Sequence, residues 1–410
     1  MDEIFYLFNP WWEGKAFFIG TNREKYLEQI KSNLQAKQAL LLVGSRRVGK
    51  TTLFYQTIQY LLDKGENPKR LIYLPLDHPS LQGKKILDIL EEIRETHGLG
   101  RKNKLFLFLD EIQFFQSWEQ EAKAITDFEN IKLLISGSAS TEILAKGTFL
   151  TGRTLTIIIK PLDFQEFIAF KSKKPGRTDI ALKNNLLQKY LQIGGYPEYV
   201  QNQNPLYFSN LITNVINKDI ASLFPVKNTS LLSQLLSLLA DRTGSQTSLT
   251  KLGDILDLTH DTVRDYIHYL KAAFLVSELA KFSSSRNKSV YSPKKFYLLD
   301  AGLLFNLTGK LNLDAAAENA VFQKLSQNKE KFGFYYEDQK EVDFITQNDH
   351  AYEVKYKLSN QGWEKLATSL EKLPAGKFNK ITVLTSDPQK NQTINGLKVE
   401  FESLADFFLA

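Results

Sequence analysis

Residues 39–62 read ALLLVGSRRVGKTTLFYQTIQYLL, and the parsing of this stretch decides the fold. Ala39–Val43 form an unbroken apolar run of strand length, while Leu53, Ile58, Leu61 and Leu62 recur at helical spacing. A strand, a turn and a helix are therefore expected. The turn itself, Gly44-Ser45-Arg46-Arg47-Val48-Gly49-Lys50-Thr51, is a full match to G-x-x-x-x-G-K-[ST]. In that pattern the glycines let backbone N–H groups face a phosphate, and the helix N-terminus adds the positive end of its dipole. Lys50 is expected to reach the β and γ phosphates and the Thr51 hydroxyl to ligate magnesium, with Thr52 beside it. Arg46 and Arg47 fill variable positions as charge facing solvent or phosphate. The ligands expected here are ATP and Mg2+.

Two further strands should end near this turn. KLFLFLDEIQ carries five consecutive apolar residues, Leu105 to Leu109, before Asp110-Glu111. Such a run suits a parallel strand covered on both faces, and ligand groups in open α/β sheets gather at the carboxyl ends of strands. Asp110 is then placed for the magnesium shell and Glu111 to orient and deprotonate a water; the plainer alternative is a pair of acids capping the next helix. IKLLIS ends at Ser136, whose hydroxyl either contacts the γ-phosphate or its water, or caps the helix expected at STEILAKG. Arg153, in FLTGRTLTIIIKPLDFQEF, is a candidate for stabilising transition-state charge in cis or toward a neighbouring subunit, or is a solvated residue at a strand entrance.

The totals bound the rest. At 410 residues, two to four modules are expected, with 43% hydrophobic and 24% charged residues arguing against disorder. No apolar run approaches the roughly 18–20 residues that span a bilayer, and MDEIFYLFNPWWEG lacks a positive signal-peptide start, so a cytoplasmic protein with no membrane partner is expected. With no cysteine, thiolate metal sites and disulfides are excluded, and any metal must be held by oxygen ligands. The net charge of +6 is compatible with a polyanionic partner without identifying one. Trp11 and Trp12 are read as packing on the core, with the nucleotide base as the alternative.

GSRRVGKT, LFLDEIQ, LLISGSAS, LTGR, PLDFQEF and QIGGYPEYV together resemble the prokaryotic AAA-type ATPases that carry a C-terminal domain of unknown function. The resemblance spans nearly the whole chain. It implies an α/β fold: a P-loop NTPase (AAA-type) core at 1–160, a helical lid at 161–225, a winged-helix segment at 226–282 and a small restriction-endonuclease-like α/β domain at 283–410. It carries over Lys50 and Thr51 as nucleotide ligands, Asp110 and Glu111 as the magnesium and water pair, and Arg153 as an arginine sensor or finger, which would call for a homo-oligomer. Family members often have Thr where this chain has Ser136; the hydroxyl is retained.

In the middle of the chain, SLTKLGDILDLTHDTVRDYIHYLKAAFLVSELAKF has helix-turn-helix spacing with a strand behind it. If this module binds DNA, His260, Thr262, Arg264 and His268 would face the groove, with Lys281, Arg286 and Lys288 as a basic wing. Asp261 and Asp265 weaken that electrostatic case, leaving subunit contact as the alternative.

EVDFITQNDHAYEVKYK, residues 341–357, alternates like a hairpin about Asn348. Centred there, Asp343 and Glu353 lie opposite each other, an arrangement that needs a cation, a proton or another register. Upstream, Asp314 is a plausible N-cap, and Glu318 falls in line with Val321, Phe322 and Leu325 on the face that should be buried. Glu318, Asp343, Glu353 and Lys355 are similar to the Glu…Asp…Glu-x-Lys constellation of the restriction-endonuclease-like family. It implies carboxylates for magnesium and a lysine that activates water at a phosphodiester. The alternative is a Glu341–Lys355 ion pair on a fold kept for binding alone. The expected function is ATP hydrolysis coupled to DNA binding or cleavage, or a regulatory ATP switch with an inactive tail that holds a protein partner or DNA.

Overall fold

The apolar run Ala39–Val43 is strand β1, buried along its whole length, and it lies inside the sheet that the following turn needs. The computed structural model describes residues 3–138, 152–176, 178–283, 292–327, 330–374, 376–394 and 396–410. The STEILAKG helix and the wing residues Arg286 and Lys288 lie outside the described residues. Two compact units emerge, residues 1–160 with 272–274, and residues 161–271 with 275–410.

In the first unit the elements run α1 (Ile4–Phe8), α2 (Glu24–Ser32), β1, α3 (Lys50–Asp63), β2 (Leu71–Pro75), α4 (Ile86–His97), β3 (Leu105–Asp110), α5 (Trp118–Phe128), β4 (Ile131–Gly137) and β5 (Thr154–Ile158). The strands form one parallel sheet in the order β2-β3-β4-β1-β5. Each of β1, β3 and β4 is buried throughout, as their largely apolar sequences demand of strands covered on both faces. The carboxyl ends of these three strands therefore share one edge, where the order doubles back. Trp11 and Trp12 are buried, each donating its indole N–H to the Leu71 carbonyl at 2.9 Å, so the aromatic opening closes the β2 side of the core.

The second unit begins with α6 (Phe164–Phe170), α7 (Ile180–Ile193), α8 (Pro197–Asn202) and α9 (Tyr207–Asn214). This segment groups with the C-terminal half of the chain, and α7 packs on the helices over Ala301–Thr308 and Leu313–Leu325. The Gly194-Gly195 turn of QIGGYPEYV has a physical reason. A Cβ at Gly195 would stand 2.1 Å from the Leu162 carbonyl oxygen, and Gly195 N–H reaches Asp300 Oδ2 at 2.6 Å.

Next come α10 (Thr229–Asp241), α11 (Leu249–Leu256), α12 (His260–Ala272) and the antiparallel pair β6 (Val276–Leu279) and β7 (Lys295–Leu298). The expected boundary at 282 thus passes through a hairpin, since the second strand is not visible in the pattern. Then α13 (Ala301–Thr308) and α14 (Leu313–Leu325) lead into a six-stranded sheet. Its strands are β8 (Phe332–Glu337), β9 (Lys340–Thr346), β10 (His350–Val354), β11 (Lys380–Thr385), β12 (Gln392–Ile394) and β13 (Leu397–Ser403), in the order β12-β13-β11-β10-β9-β8. Helices α15 (Asn360–Glu371) and α16 (Leu404–Leu409) complete it. Val342, Ile345, Ala351, Ile381, Val383 and Val399 of the sheet form one buried cluster with Leu366 and Leu370 of α15. Asn312, not Asp314, caps α14 through the N–H groups of Asp314 and Ala315; Asp314 Oδ1 accepts the Tyr356 N–H at 2.8 Å.

Candidate functional site

The turn after β1 is held open by its own covalent structure. Gly44 leaves β1 where a Cβ would lie 2.2 Å from the Ile159 carbonyl oxygen, and Gly49 takes φ +98° immediately before α3. Either position with a side chain would push the loop off its path. Beneath the loop Arg23, itself buried, donates Nη1 to the Val48 carbonyl at 2.8 Å and to the Lys160 carbonyl at 3.0 Å. The Lys50 ammonium lies inside the loop, 2.9 Å from the carbonyl oxygens of both Gly44 and Ser45.

At the end of β3, Asp110 is the meeting point. Its Oδ2 accepts the Thr51 hydroxyl at 2.6 Å and the Tyr73 hydroxyl at 2.8 Å, and its Oδ1 accepts the Ser136 hydroxyl. Burial, with neighbouring Glu111 adding to it, raises the Asp110 pKa. Tyr73 is likewise raised, by burial and then by the Asp110 charge, so it stays a hydrogen-bond donor. Glu111 sits at φ 53° with its N–H on Ser136 Oγ at 3.3 Å, and its carboxylate accepts Gln113 Nε2, which also donates to Ser138 Oγ at 2.9 Å. A left-handed backbone in a bulky residue is strained, and here it turns Glu111 away from the β3 axis beside Asp110.

The donor set fits magnesium. A hydroxyl and a carboxylate in direct contact are hard oxygen ligands of the kind Mg2+ takes alongside phosphate and water. Thr51 and Asp110 would hold the ion, which when bound with nucleotide neutralises charge on the phosphates. Arg153 needs correction as a residue acting in cis. It precedes β5 at the amino end of the sheet, where its carbonyl accepts the Ala39 N–H, and its Nε is paired with Asp127 at 2.7 Å. A strand of five residues, about 16 Å, separates that end from the loop side.

The second unit contains a second constellation. β9 and β10 pair as Ile345 with Ala351 and Phe344 with Tyr352, the register centred on Asn348. At the next step side chains replace the ladder: Asp343 Oδ2 accepts Val354 N–H at 2.9 Å and Glu353 Oε2 accepts Asp343 N–H at 3.4 Å. Lys355 Nζ lies 2.9 Å from Glu353 Oε1 and 3.7 Å from Asp343 Oδ2. Glu318, from α14, faces the same place. Glu341 does not pair with Lys355; it pairs with Lys295 of β7, which the sequence does not single out.

Lys295 has no exposed surface, and its ammonium lies 2.7 Å from Glu341 Oε1, 3.4 Å from Glu318 Oε1 and 3.6 Å from Asp343 Oδ1. Two residues on, Tyr297 donates its hydroxyl to Glu318 Oε1 at 2.8 Å. Burial and then the Asp343 charge raise the Glu318 pKa, and the same two causes raise Glu353. Burial opposes ionisation of Asp343 too, but Lys355 and Lys295 outweigh it and the pKa is lowered. Both lysines are held protonated well above their usual range, because Asp343 and its neighbours outweigh burial. Among the described residues no group of three or more acidic or imidazole side chains is arranged to hold a metal ion. The space between these carboxylates is filled by ammonium groups, so Glu318, Asp343 and Glu353 do not fit the expected magnesium role as arranged.

Comparison with known proteins bears on the first site. Residues 36–168 match the model of the AAA domain, and residues 184–314 that of a domain of unknown function, DUF8612. The AAA match thus covers the P-loop turn and strands β1 to β5. An uncharacterized protein of Haemophilus influenzae is 27% identical over 335 residues, 79% of this chain and 83% of its own, and one of Methanocaldococcus jannaschii is 27% identical over 365 residues, 84% and 80%. Among solved structures, a replication initiator DnaA bound to AMPPCP and single-stranded DNA is 17% identical, covering 64% of this chain and 92% of that one, with a TM-score of 0.29. Tyr73 and Arg23 are site residues that the motifs do not reveal, and Gln113, inside LFLDEIQ, is given no role by that motif. Tyr73 and Arg23 act through contacts between residues far apart in sequence, which no local spacing encodes. No helix among the described residues is long and apolar enough to cross a membrane.

Proposed function

We propose that the chain is an ATP hydrolase whose nucleotide state governs the hold of its second unit on nucleic acid. One observation carries the first half: Lys50 at the loop, Thr51 and Ser136 on Asp110, and Glu111 beside it converge at one sheet edge. In this reading Lys50 binds the β and γ phosphates, Asp110 and Thr51 take the metal, and Glu111 accepts the proton of the attacking water while Gln113 fixes its orientation. Oligomerisation, with Arg153 acting toward a neighbouring subunit, belongs to the same proposal.

Support for a nucleic-acid partner is a groove of about 620 Å3 beside α12, bordered by His260, Arg264, His268, Lys271 and Lys294. Arg264, Lys271 and Lys294, on a groove next to a helix-turn-helix and a two-stranded wing that Glu278 also lines, suit a phosphate backbone. Asp261 pairs with Arg264 at 3.0 Å and Glu278 with Lys271 at 2.7 Å, which lowers the net field. These pairs favour a second reading, a protein partner in place of nucleic acid. With Lys295 among Glu318, Glu341 and Asp343, metal-dependent phosphodiester cleavage is not part of this reading, and the assay below checks it separately.

The test measures fluorescence anisotropy of labelled duplex, single-stranded and branched DNA against the protein in ATP, ADP and no nucleotide, alongside ATP turnover with and without each DNA. Nucleotide-dependent DNA binding that weakens in a Lys271→Gln/Lys294→Gln variant is the expected result. DNA binding that ignores both nucleotide and those substitutions would transfer the reading to a protein partner. Incubating the same DNAs with Mg2+ or Mn2+ reports cleavage separately.

A further inference from the structure

The Lys295 ammonium lies within 3.6 Å of carboxylate oxygens of both Glu318 and Asp343. We propose that Lys295 is a built-in counter-cation that excludes a divalent ion from this side of the cluster. The inference concerns the carboxylate cluster alone and stands apart from the nucleotide reading.

Three observations meet at this side chain. Lys295 has three carboxylate partners, Glu341 at 2.7 Å and Glu318 at 3.4 Å within hydrogen-bond reach and Asp343 at 3.6 Å as an ion pair, so three negative groups already share its charge. Its nitrogen is also 5.6 Å from the centroid of the Phe334 ring, which backs it on another side. Lastly, the backbone that delivers it is fixed: β7 pairs Lys295 with Leu279 of β6, and the same-face neighbour Tyr297 is tied to Glu318.

The distances discriminate between the two cations. Oxygens 2.7–3.6 Å from a nitrogen suit ammonium hydrogen bonds and ion pairs, whereas Mg2+ takes oxygen at about 2.0–2.1 Å. A divalent ion placed here would have to expel a buried ammonium and draw the carboxylates inward by roughly 1 Å. Closure around Lys295 also comes from the loop before α11. Gln246 Nε2 donates to Glu341 Oε2 at 2.7 Å, and a Cβ at Gly244, φ +76°, would meet Glu318 Oε2 at 2.6 Å. The loop before α11 thus supplies the surround, while β7 supplies the internal cation.

The test is a Mn2+ titration of the full-length, nucleotide-free protein at pH 8, followed by calorimetry and by the loss of the free-ion electron paramagnetic resonance signal. Parent protein is compared with Lys295→Gln, Lys295→Arg and the surface control Lys398→Gln. The expected result is that Lys295→Gln binds one more ion than the parent, or binds it at least tenfold tighter, and that a further Glu318→Gln removes the gain. Lys295→Arg and Lys398→Gln should behave as the parent. Equal Mn2+ binding by parent and Lys295→Gln overturns the proposal, as does a parent ion that disappears on Glu318→Gln. If Lys295→Gln does not fold, Glu341→Gln is compared with Lys295→Gln/Glu341→Gln, in which one uncompensated carboxylate has been removed. Because the readout is metal binding without nucleotide or DNA, its outcome is independent of whether the proposed nucleic-acid function holds.

Discussion

Asp110 gathers three hydroxyl groups and no ammonium, while Lys50 lies on the loop carbonyls, so binding and hydrolysis should separate by substitution. Lys50→Ala removes the charged contact to phosphate and should cost about 2–5 kcal/mol of nucleotide binding, a loss of roughly 30-fold or more. Glu111→Gln keeps the loop and should bind nucleotide as the parent does while turnover falls by about 10²–10⁴-fold. Equilibrium binding of a fluorescent nucleotide, with phosphate release measured in parallel, checks both. A fall in binding with Glu111→Gln would mean that the residue holds the loop. A different single residue sets a pH dependence. Burial raises the Asp300 pKa to about 6 from an ordinary 3.8, although it accepts backbone N–H bonds. Between those values the folded state holds more protons than the unfolded one, so the contribution to stability is greatest below pH 4 and declines as pH rises to 6. Its size is on the order of 2–3 kcal/mol. Denaturant unfolding of the parent and of Asp300→Asn across pH 3.5–7 should show this slope in the parent and its loss in the variant.

A glycine is judged by what its missing side chain would meet, and the chain provides a matched contrast. Gly195→Ala would put a methyl 2.1 Å from the Leu162 carbonyl, whereas a Cβ at Gly176 meets nothing within 4 Å. The first should destabilise by about 1–3 kcal/mol, as overpacking does, and the second should be neutral or stabilising by up to about 1 kcal/mol. Thermal unfolding of the two variants checks the pair; equal shifts would mean the Gly194-Gly195 turn has room to relax. At this scale much is legible in the sequence. The motif around Lys50 implies a strand, a loop and a helix because its spacing is local, and the hairpin register about Asn348 comes from alternation alone. The rest requires tertiary information. Lys295 sits in a four-residue strand whose sequence, KFYL, does not show which face meets Asp343, and the β7 partner of β6 lies beyond a stretch that reads as loop. The sequence leaves Arg153 two readings, as a charge-stabilising residue or as a solvated residue at a strand entrance; it immediately precedes β5, and choosing between the two needs the sheet order.

Two units on one chain constitute a switch only if ligands of one change the affinity of the other, and linkage makes that demand quantitative. If ATP in place of ADP changes the affinity for nucleic acid by some factor, nucleic acid must change the ATP-to-ADP preference by the same factor; couplings of this kind are typically about 5–150-fold. Glu111→Gln permits the measurement because ATP would persist in it. Anisotropy of labelled DNA in saturating ATP and in ADP gives one factor, and nucleotide titrations with and without saturating DNA give the other. Agreement of the two, both well above unity, is the expected outcome. The electrostatic contribution is separable. With Lys271 and Lys294 changed to Gln, the dependence of log affinity on log salt should become shallower by about 0.9 for each phosphate no longer neutralised, while nucleotide affinity in the absence of DNA stays at the parent value. A factor of one in both titrations, with intact ATP turnover, would make the AAA domain and the second unit independent modules and would end the switch reading.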